Sequence, residues 1–208
     1  MLTVHHLNNS RSQRILWLLE ELDLPYGIEF YQRDPVTNLA PPELKAIHPL
    51  GKSPVLTDGD ATVIESGAII DYIVRHHGGG RLVPAADSAD YDSYVQWLHF
   101  AEGSAMLPLM LKLYTGRLGE AAAPLTPRIE GEIANHLSYI EGSLTGHDWL
   151  VGSDLTAADI QLSFVGEIAG VFGLRAKYPS IDAWVKRFQA RPAYKRALDK
   201  GGAYAYAA

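Results

Sequence analysis

Apolar and polar residues alternate with two different periods near the start of the chain. Apolar side chains recur at the i, i+3, i+4 and i+7 spacing of a helix over residues 11–23, and Pro25 ends that segment. The runs on either side, residues 2–7 and 27–32, have the length and composition of strands. The beginning of the chain is therefore predicted to fold as strand, helix, strand.

The pattern continues with a short helix, a hairpin and a longer helix. Pro41-Pro42-Glu43-Leu44 opens the short helix, since prolines are tolerated in a first turn. Residues 54–57 and 62–65 flank Asp58-Gly59-Asp60, which predicts a hairpin. Ser66 is predicted to cap the third helix. The order β-α-β-α-β-β-α favours a two-layer α/β sandwich with a mixed sheet, and it is the order of a thioredoxin-like domain.

Three consecutive glycines, Gly78-Gly79-Gly80, interrupt this pattern because glycine destabilises the interior of a helix or strand. Beyond them the period is helical. Residues 91–118 form one long apolar stretch that is broken by Gly103 and Pro108, and a kink is predicted near the proline. Helices this apolar must pack on one another as a bundle. The predicted parts are a thioredoxin-like α/β domain over residues 1–79, a linker over 80–90 and an all-helical domain over 91–208.

One later helix carries a recognisable N-terminal signature. Thr156-Ala157-Ala158-Asp159 has the form of a capping box, with Asp in place of the usual Glu or Gln. This helix is predicted to run from Ala157 to about Phe172. The remaining helices are predicted over residues 128–144, 180–189 and 192–200.

Composition narrows the classes of function. The chain has 208 residues, 47% of them hydrophobic and 20% charged, so it can bury a core. A net charge of −6 argues against nucleic-acid partners and against a polybasic membrane anchor. The absence of cysteine excludes disulfide frameworks, CxxC redox motifs and cysteine nucleophiles. Because the sequence shows neither a signal-peptide pattern nor an apolar run of about 18–20 residues, we expect a soluble, cytoplasmic protein.

Two motifs resemble a nucleotide-binding loop and a metal site but lack the residue or the spacing that such sites require. Gly51-Lys52-Ser53 resembles the end of a P-loop, but Ala46 stands where that loop needs glycine, and Pro54 follows directly. The pairs His5-His6 and His76-His77 are adjacent and lack the i, i+4 spacing of a helical zinc site. Neither a nucleotide site nor a metal site is predicted.

Three polar stretches remain as candidates for chemistry, each at a strand end or a helix N-terminus. They are residues 7–14, 48–55 and 65–68. Helix N-termini carry free N–H groups and partial positive charge, so three such turns at one sheet edge would suit a small, multiply charged ligand. Each stretch also has an ordinary structural explanation. Ser10 and Ser66 can be N-caps, Pro54 can begin a strand, and Lys52 can be solvated.

The joint order of these stretches resembles the glutathione transferase family, and the resemblance covers nearly the whole chain. His48-Pro49-Leu50-Gly51-Lys52-Ser53-Pro54-Val55-Leu56 matches the Asn-Pro-x-Gly-Lys-x-Pro-x-Leu pattern of serine-type members, with His in place of Asn. Glu65-Ser66 matches the family's acidic-Ser pair, and residues 155–159 match the capping box of its helical domain. Residues 10–14 match the Ser-x-x-x-Arg of the theta and delta classes, although Ser12-Gln13 replaces their usual Pro-Cys.

The resemblance implies that the thioredoxin-like domain binds glutathione. Lys52 would meet the glycyl carboxylate, and a cis Pro54 would present the backbone of Val55 to the cysteinyl part. Glu65 and Ser66 would hold the γ-glutamyl end. The predicted glutathione-binding residues are Lys52, Ser53, Pro54, Val55, Glu65 and Ser66.

The resemblance also implies that Ser10 donates a hydrogen bond to the glutathione sulfur. A free thiol titrates near pH 8.5 and only the thiolate attacks well, so lowering this pKa by about two units requires about 2.7 kcal/mol of preference for the anion. A charge-assisted hydrogen bond and a helix N-terminus can together supply that preference. Asn9, Asn8 and Ser12 lie in the same turn and are the alternatives, since some family branches use Asn or Thr.

The implied function is a glutathione transferase that adds glutathione, its co-substrate, to a hydrophobic electrophile in detoxification, as a homodimer and without a metal. Ser104, Leu107 and Tyr114 of the long helix are the candidates for the electrophile pocket, with core packing as the alternative. Two other functions stay open. The same site could reduce peroxides or disulfides through glutathione, or the fold could be a non-catalytic binding module, which would have no need of the residues that match the family's glutathione pattern.

Overall fold

The computed structural model describes residues 1–207, and its first seven elements form in the predicted order. They are β1 (Leu2–Leu7), α1 (Ser12–Glu21), β2 (Tyr26–Tyr31), α2 (Leu44–Ile47), β3 (Val55–Asp58), β4 (Ala61–Ile64) and α3 (Ser66–His77). The strands form one mixed sheet in the order β2-β1-β3-β4.

The pairing within the sheet brings three strand ends to one edge. β1 runs parallel to β2 and antiparallel to β3, and β4 runs antiparallel to β3. Val55, the first residue of β3, is opposite His5 on one side and Ile64 on the other. Consequently the end of β1, the beginning of β3 and the end of β4 lie at the same sheet edge, next to the three polar stretches.

Helix α1 is buried far more completely than its amphipathic pattern predicts. Nine of its ten residues are buried, and its apolar side chains from Ile15 to Leu19 are fully inaccessible. The reason is that α1 packs against β1 and α3 and also against the last helix of the chain, α9 (Pro192–Gly201). Trp17 stacks on Phe188 and meets Tyr194 edge-on, which closes the apolar contact on that side.

The rest of the chain is helical, as expected. The further α-helices are α4 (Ala89–Phe100), α5 (Met106–Thr115), α6 (Thr126–Leu144), α7 (Ala157–Val171) and α8 (Pro179–Gln189), with 3-10 segments at Gly116–Ala122 and Arg175–Lys177. Helix α7 is the most buried of these further helices, and Gly166 lets it approach α8: a Cβ at that position would lie 2.8 Å from both Trp184 and Val185. The chain therefore has a thioredoxin-like α/β part and a helical part. In the part of the chain that the structure describes, no helix combines the length and apolarity needed to span a membrane.

The long predicted helix is interrupted, but by a π-helical turn over Ala101–Ala105 between α4 and α5. Pro108 lies just beyond it, inside α5. Because proline has no N–H, the carbonyl of Ser104 lacks its usual partner four residues on, and a wider turn directly before the proline accommodates this. The irregularity therefore precedes the proline that the sequence singles out.

By packing, the chain consists of two compact units. One contains Met1–Val83 together with residues 188–207, and the other contains Pro84–Arg187. Helix α9, which follows the helical part in sequence, thus packs within the same unit as the sheet. The predicted division into domains over residues 1–79 and 91–208 stays a prediction.

Candidate functional site

The turn after β1 contains three of the four candidates for contact with a thiol, and the fourth, Ser12, is the first residue of α1. Its backbone is fixed by Arg33, whose guanidinium donates to the carbonyls of Asn8 at 3.2 Å and Asn9 at 3.1 Å. The side-chain oxygens of both asparagines accept backbone N–H groups, from Arg33 to Asn8 at 2.9 Å and from Ala205 to Asn9 at 2.8 Å. Asn9 has a φ of 50°, a left-handed conformation that asparagine tolerates better than most residues. Contacts with Arg33 and with the backbone of Ala205 therefore hold the turn in place before helix α1 begins.

Ser10 lies at the start of α1 without capping it. The N-cap is Arg11, and the Ser10 hydroxyl accepts the backbone N–H of Ser12 at 3.1 Å. The two serine hydroxyls are 2.7 Å apart. Ser10 retains 5% of its accessible surface, whereas Ser12 has none, so only the former is at the rim of the buried cluster.

The serine cluster continues into the protein through His6. The Ser12 hydroxyl lies 2.9 Å from Nδ1 of His6, and Nε2 of that ring lies 3.1 Å from the carbonyl oxygen of Gly201. Burial lowers the pKa of His6, and the Gly201 carbonyl opposes this only in part. The ring is therefore neutral at pH 7, with one nitrogen available as an acceptor.

The second polar stretch is tied to β1 by Ser53. Its hydroxyl donates to the carbonyl of His5 at 2.8 Å and accepts the N–H of Leu7 at 3.2 Å. The Ser53–Pro54 bond is cis, as the family resemblance implies. Pro54 and Val55 are buried, and Lys52 is exposed at the surface beside them.

The third stretch begins helix α3, but Ser66 is not its cap. The predicted cap is wrong by one residue: Glu65 is the N-cap, with a φ of 65°, and Ser66 is the first helical residue. Ser66 is buried, and its hydroxyl accepts a hydrogen bond from a guanidinium N–H of Arg14 at 2.9 Å. Glu65 is exposed, so the pair offers one outward carboxylate and one buried hydroxyl at the same helix end.

Residues 1–75 match the glutathione S-transferase N-terminal domain, and residues 99–192 match the C-terminal domain of the same family. The chain belongs to the glutathione S-transferase family. Glutathione S-transferase 3 of Schizosaccharomyces pombe is 35% identical to it, over 96% of this chain and 88% of the relative. A solved glutathione S-transferase from Actinobacillus pleuropneumoniae is 36% identical with a TM-score of 0.92, covering 99% of this chain and 95% of its own. A family member from Pseudomonas fluorescens, solved with two glutathione bound, is 26% identical with a TM-score of 0.80. The match covers 95% of this chain and 92% of that chain.

The three electrophile-pocket candidates belong to the helical unit. Ser104 lies in the π-helical turn and is partly exposed. Leu107 and Tyr114 on α5 are 57% and 56% exposed, so core packing does not account for them. Leu111, at 39% exposure, lies between them at helical spacing. The helix therefore presents an apolar stripe outside the core of its unit.

Two side chains of the site have no role that the sequence pattern indicates. Arg14 belongs to a motif that matches the family, but its contact with Ser66 spans 52 residues and has no local signal. In the sequence, His6 stands out only as half of an adjacent histidine pair. The alternation of strand β1 places it on the α1 side, where Ser12 lies within hydrogen-bond distance.

Proposed function

We propose that this protein is a glutathione transferase in which Ser10 stabilises the glutathione thiolate for attack on a hydrophobic electrophile. A serine hydroxyl that already accepts a backbone N–H is a good donor toward a sulfur anion, because the accepted bond polarises it. Ser10 lies one residue before the N-cap of α1, where the helix macrodipole also favours negative charge. Serine acts here as a hydrogen-bond donor, and the sulfur of the substrate is the nucleophile.

The remaining predicted residues would bind the rest of glutathione. Lys52 supplies a cation for the glycyl carboxylate, and the backbone of Val55 pairs with the cysteinyl part. Glu65 meets the γ-glutamyl ammonium, and Ser66 takes its carboxylate with its N–H and hydroxyl at the beginning of α3. Ser53 and Pro54 keep the Val55 backbone in place.

The observation that carries this proposal is the bridging of the three polar stretches at one sheet edge. Ser53 joins the second stretch to the last residues of β1, and Arg14 joins helix α1 to the beginning of α3. A non-catalytic module has no use for a buried arginine that orients a serine at a helix N-terminus. Membership of the family, and a relative solved with glutathione bound, support the same ligand.

The proposal extends to the second substrate and the assembly. The apolar stripe that contains Leu107 and Tyr114, together with Ser104, would contact a hydrophobic electrophile. Glutathione is the co-substrate and no metal takes part. We further propose a cytoplasmic homodimer with a role in detoxification.

Ser10→Ala tests the thiol-activating role. We expect the variant to fold and bind glutathione within a few-fold of wild type, while the pKa of the bound thiol returns toward about 8.5. Conjugation of 1-chloro-2,4-dinitrobenzene should fall at least tenfold near pH 6.5, and Ser10→Thr, which retains the hydroxyl, should keep part of the activity. The thiol pKa is read from thiolate ultraviolet absorbance against pH.

Asn8→Ala and Asn9→Ala are the matched comparisons, since both asparagines belong to the same turn. If either of them removes the pKa shift and Ser10→Ala does not, the thiol contact belongs to an asparagine. If wild-type protein binds glutathione without any shift in the thiol pKa, thiol activation is wrong and a binding role remains.

A further inference from the structure

A continuous line of polar atoms begins at the Ser10 hydroxyl, and the proposed chemistry uses none of these atoms beyond Ser10. It runs from the Ser10 hydroxyl to that of Ser12 at 2.7 Å, on to Nδ1 of His6 at 2.9 Å, and from Nε2 of the same ring to the carbonyl of Gly201 at 3.1 Å. We call Ser10, Ser12 and His6 the relay. Ser12 and His6 are 0% and 2% exposed and Ser10 is 5% exposed, so Ser10 is the most accessible member of the relay.

The acceptor at each end of the relay lets us assign a direction to its hydrogen bonds in the resting state. A carbonyl oxygen accepts only, so Nε2 of His6 carries the proton that faces Gly201, and Nδ1 of the neutral ring is an acceptor. The single proton of Ser12 has three acceptors within reach, which are Oγ of Ser10 at 2.7 Å, Nδ1 of His6 at 2.9 Å and the Leu7 carbonyl at 3.2 Å. Nδ1 needs a donor, and Ser12 is the hydroxyl that contacts it, so we assign the Ser12 proton to Nδ1. Ser10 then donates to Ser12. Every donor therefore points from the surface toward the imidazole.

Among the described residues, no neighbouring charge offsets the burial of the His6 ring. Within the described chain its neighbours include Ser12, the Gly201 carbonyl and the ring of Phe30, which it meets edge-on with centroids 5.8 Å apart, and none of these ionises near neutral pH. Burial lowers the pKa of His6, so the imidazole is unprotonated when glutathione arrives. An unprotonated base at the end of a line of hydroxyls is able to accept a proton.

We propose that Ser12 and His6 are positioning residues that carry the thiol proton of bound glutathione inward, so that thiolate and imidazolium form together. This inference rests on the proposed function, because it takes the thiol to be bound at Ser10. It adds a destination for the proton, which the hydrogen bond from Ser10 does not itself provide.

The transfer balances atom by atom. The S–H bond breaks and its electron pair stays on sulfur, while the thiol proton bonds to Ser10 Oγ. The original Ser10 proton passes to Ser12 Oγ, and the original Ser12 proton passes to Nδ1 of His6. In the product every donor points outward: imidazolium to Ser12, Ser12 to Ser10, and Ser10 to the thiolate, while Nε2–H still faces Gly201. The pair is neutral overall, which limits the cost of charge in a buried site.

The number of protons released when glutathione binds distinguishes transfer along the relay from loss of the thiol proton to solvent. Calorimetric titration of glutathione at pH 6.5 in two buffers of different ionisation enthalpy gives the protons released, and ultraviolet absorbance gives the thiolate formed. S-methylglutathione, which has no thiol, is titrated in the same way and subtracted. We expect wild type to form thiolate with far less than one proton released for each thiolate.

Two amide variants test the two nitrogens of the His6 imidazole separately. A glutamine amide reaches about the position of Nε2 and an asparagine amide about that of Nδ1, so His6→Gln keeps the Gly201 contact and His6→Asn keeps an acceptor for Ser12. Neither amide accepts a proton near neutral pH. In both variants we expect about one proton to be released for each thiolate formed, and the thiol pKa to rise by about one unit. The rise in pKa should be smaller for His6→Asn, because its side-chain oxygen still orients Ser12.

Ser12→Ala is the second test, since a buried histidine variant can fail to fold. This variant interrupts the relay while leaving His6 in place. Like the two histidine variants, it should release about one proton for each thiolate formed. Full proton release by wild type, or an unchanged proton count and thiol pKa in Ser12→Ala, would overturn the relay while leaving thiol activation by Ser10 intact. Absence of thiolate in wild type would instead remove the proposed function, and the relay with it.

Discussion

Arg14 shows how one buried charge can organise a binding residue that lies 52 positions away. It is 3% exposed, and its guanidinium donates to the Ser66 hydroxyl at 2.9 Å. That bond occupies one lone pair of the Ser66 oxygen, and we expect it to favour donation of the hydroxyl proton to the γ-glutamyl carboxylate proposed there. A hydrogen bond from a charged donor is worth about 1.5–3 kcal/mol, enough to decide how a hydroxyl is oriented.

Arg14→Met should therefore weaken glutathione binding more than it slows the chemistry. Methionine fills a similar volume but leaves Ser66 without this donor, so we expect KM for glutathione to rise about tenfold and kcat to change less than threefold. Steady-state kinetics with saturating 1-chloro-2,4-dinitrobenzene measure both constants.

Arg75→Met is the matched control for this change. Arg75 lies on the same helix as Ser66, is exposed, and pairs only with the half-buried Asp71 four residues earlier among the ion pairs described. Its removal should alter neither constant. A fall in kcat with unchanged KM in Arg14→Met would show that the arginine acts on the reaction and not on binding.

At the scale of one element, helix α7 depends on a carboxylate that the sequence pattern identifies. The capping box is confirmed: Asp159 accepts the Thr156 N–H at 3.0 Å, and the Thr156 hydroxyl donates to it at 3.1 Å. The structure adds the N–H of Leu150 and the indole N–H of Trp184, each at 3.0 Å. Burial raises the pKa of Asp159 to about 6, although these four donors favour the charged form.

Asp159→Ala should be strongly destabilising because it leaves buried donors on three residues without their acceptor. We expect a loss of about 3 kcal/mol in the free energy of unfolding, measured by urea denaturation. Asp154→Ala, at an exposed position in the preceding loop, should stay within about 0.5 kcal/mol of wild type. Equal effects for the two variants would mean that the capping network does not stabilise α7.

At the scale of the whole molecule, the two ends of the sequence meet in one compact unit. Glu20, near the end of α1, accepts hydrogen bonds from Lys200, from Nε of Arg196 at 2.8 Å and from the hydroxyl of Tyr26 at 2.8 Å. Its neighbour Glu21 binds Arg191 at 2.5 and 2.9 Å. Both carboxylates hold α9 against α1, which brings the Gly201 carbonyl to His6.

This arrangement makes the stability of the unit depend on pH. Burial disfavours the charge of Glu20, but the hydrogen bonds from Lys200, Arg196 and Tyr26 outweigh it and lower the pKa. A carboxyl whose folded pKa lies below its unfolded value, near 4.3, stabilises the protein above that value, and the contribution disappears as the pH falls through the folded pKa.

Glu20→Gln should therefore lower stability by about 2 kcal/mol at pH 7 and by progressively less as the pH falls below about 4.3. Thermal unfolding at intervals from pH 3 to 7 measures the difference, which should shrink on acidification. Glu130→Gln, which removes an exposed partner of Lys112, should show no such dependence. A difference between Glu20→Gln and wild type that stays constant across this range would contradict the role of the ionised carboxylate.

Local patterns determined most of the elements of this protein. The helical period of α1, the Asp58-Gly59-Asp60 turn and the capping box at Thr156 each involve residues a few positions apart, where propensity and spacing act directly. Three motifs in a fixed order were enough to indicate the family. Even here the boundaries shifted: Ser66 begins α3 and Glu65 caps it, because the chain turns at Glu65 with a positive φ.

The tertiary structure alone decided which side chains support the site. Arg14 reaches Ser66, Ser53 joins β1, and His6 lies between Ser12 and Gly201. These contacts join residues far apart in the chain, and side-chain direction there depends on how strands and helices pack. The sequence itself determined which segments become strands and helices and where the candidate residues fall on them. Packing then set the burial of His6 and the line of hydrogen bonds behind Ser10, since both depend on a helix that begins only at Pro192.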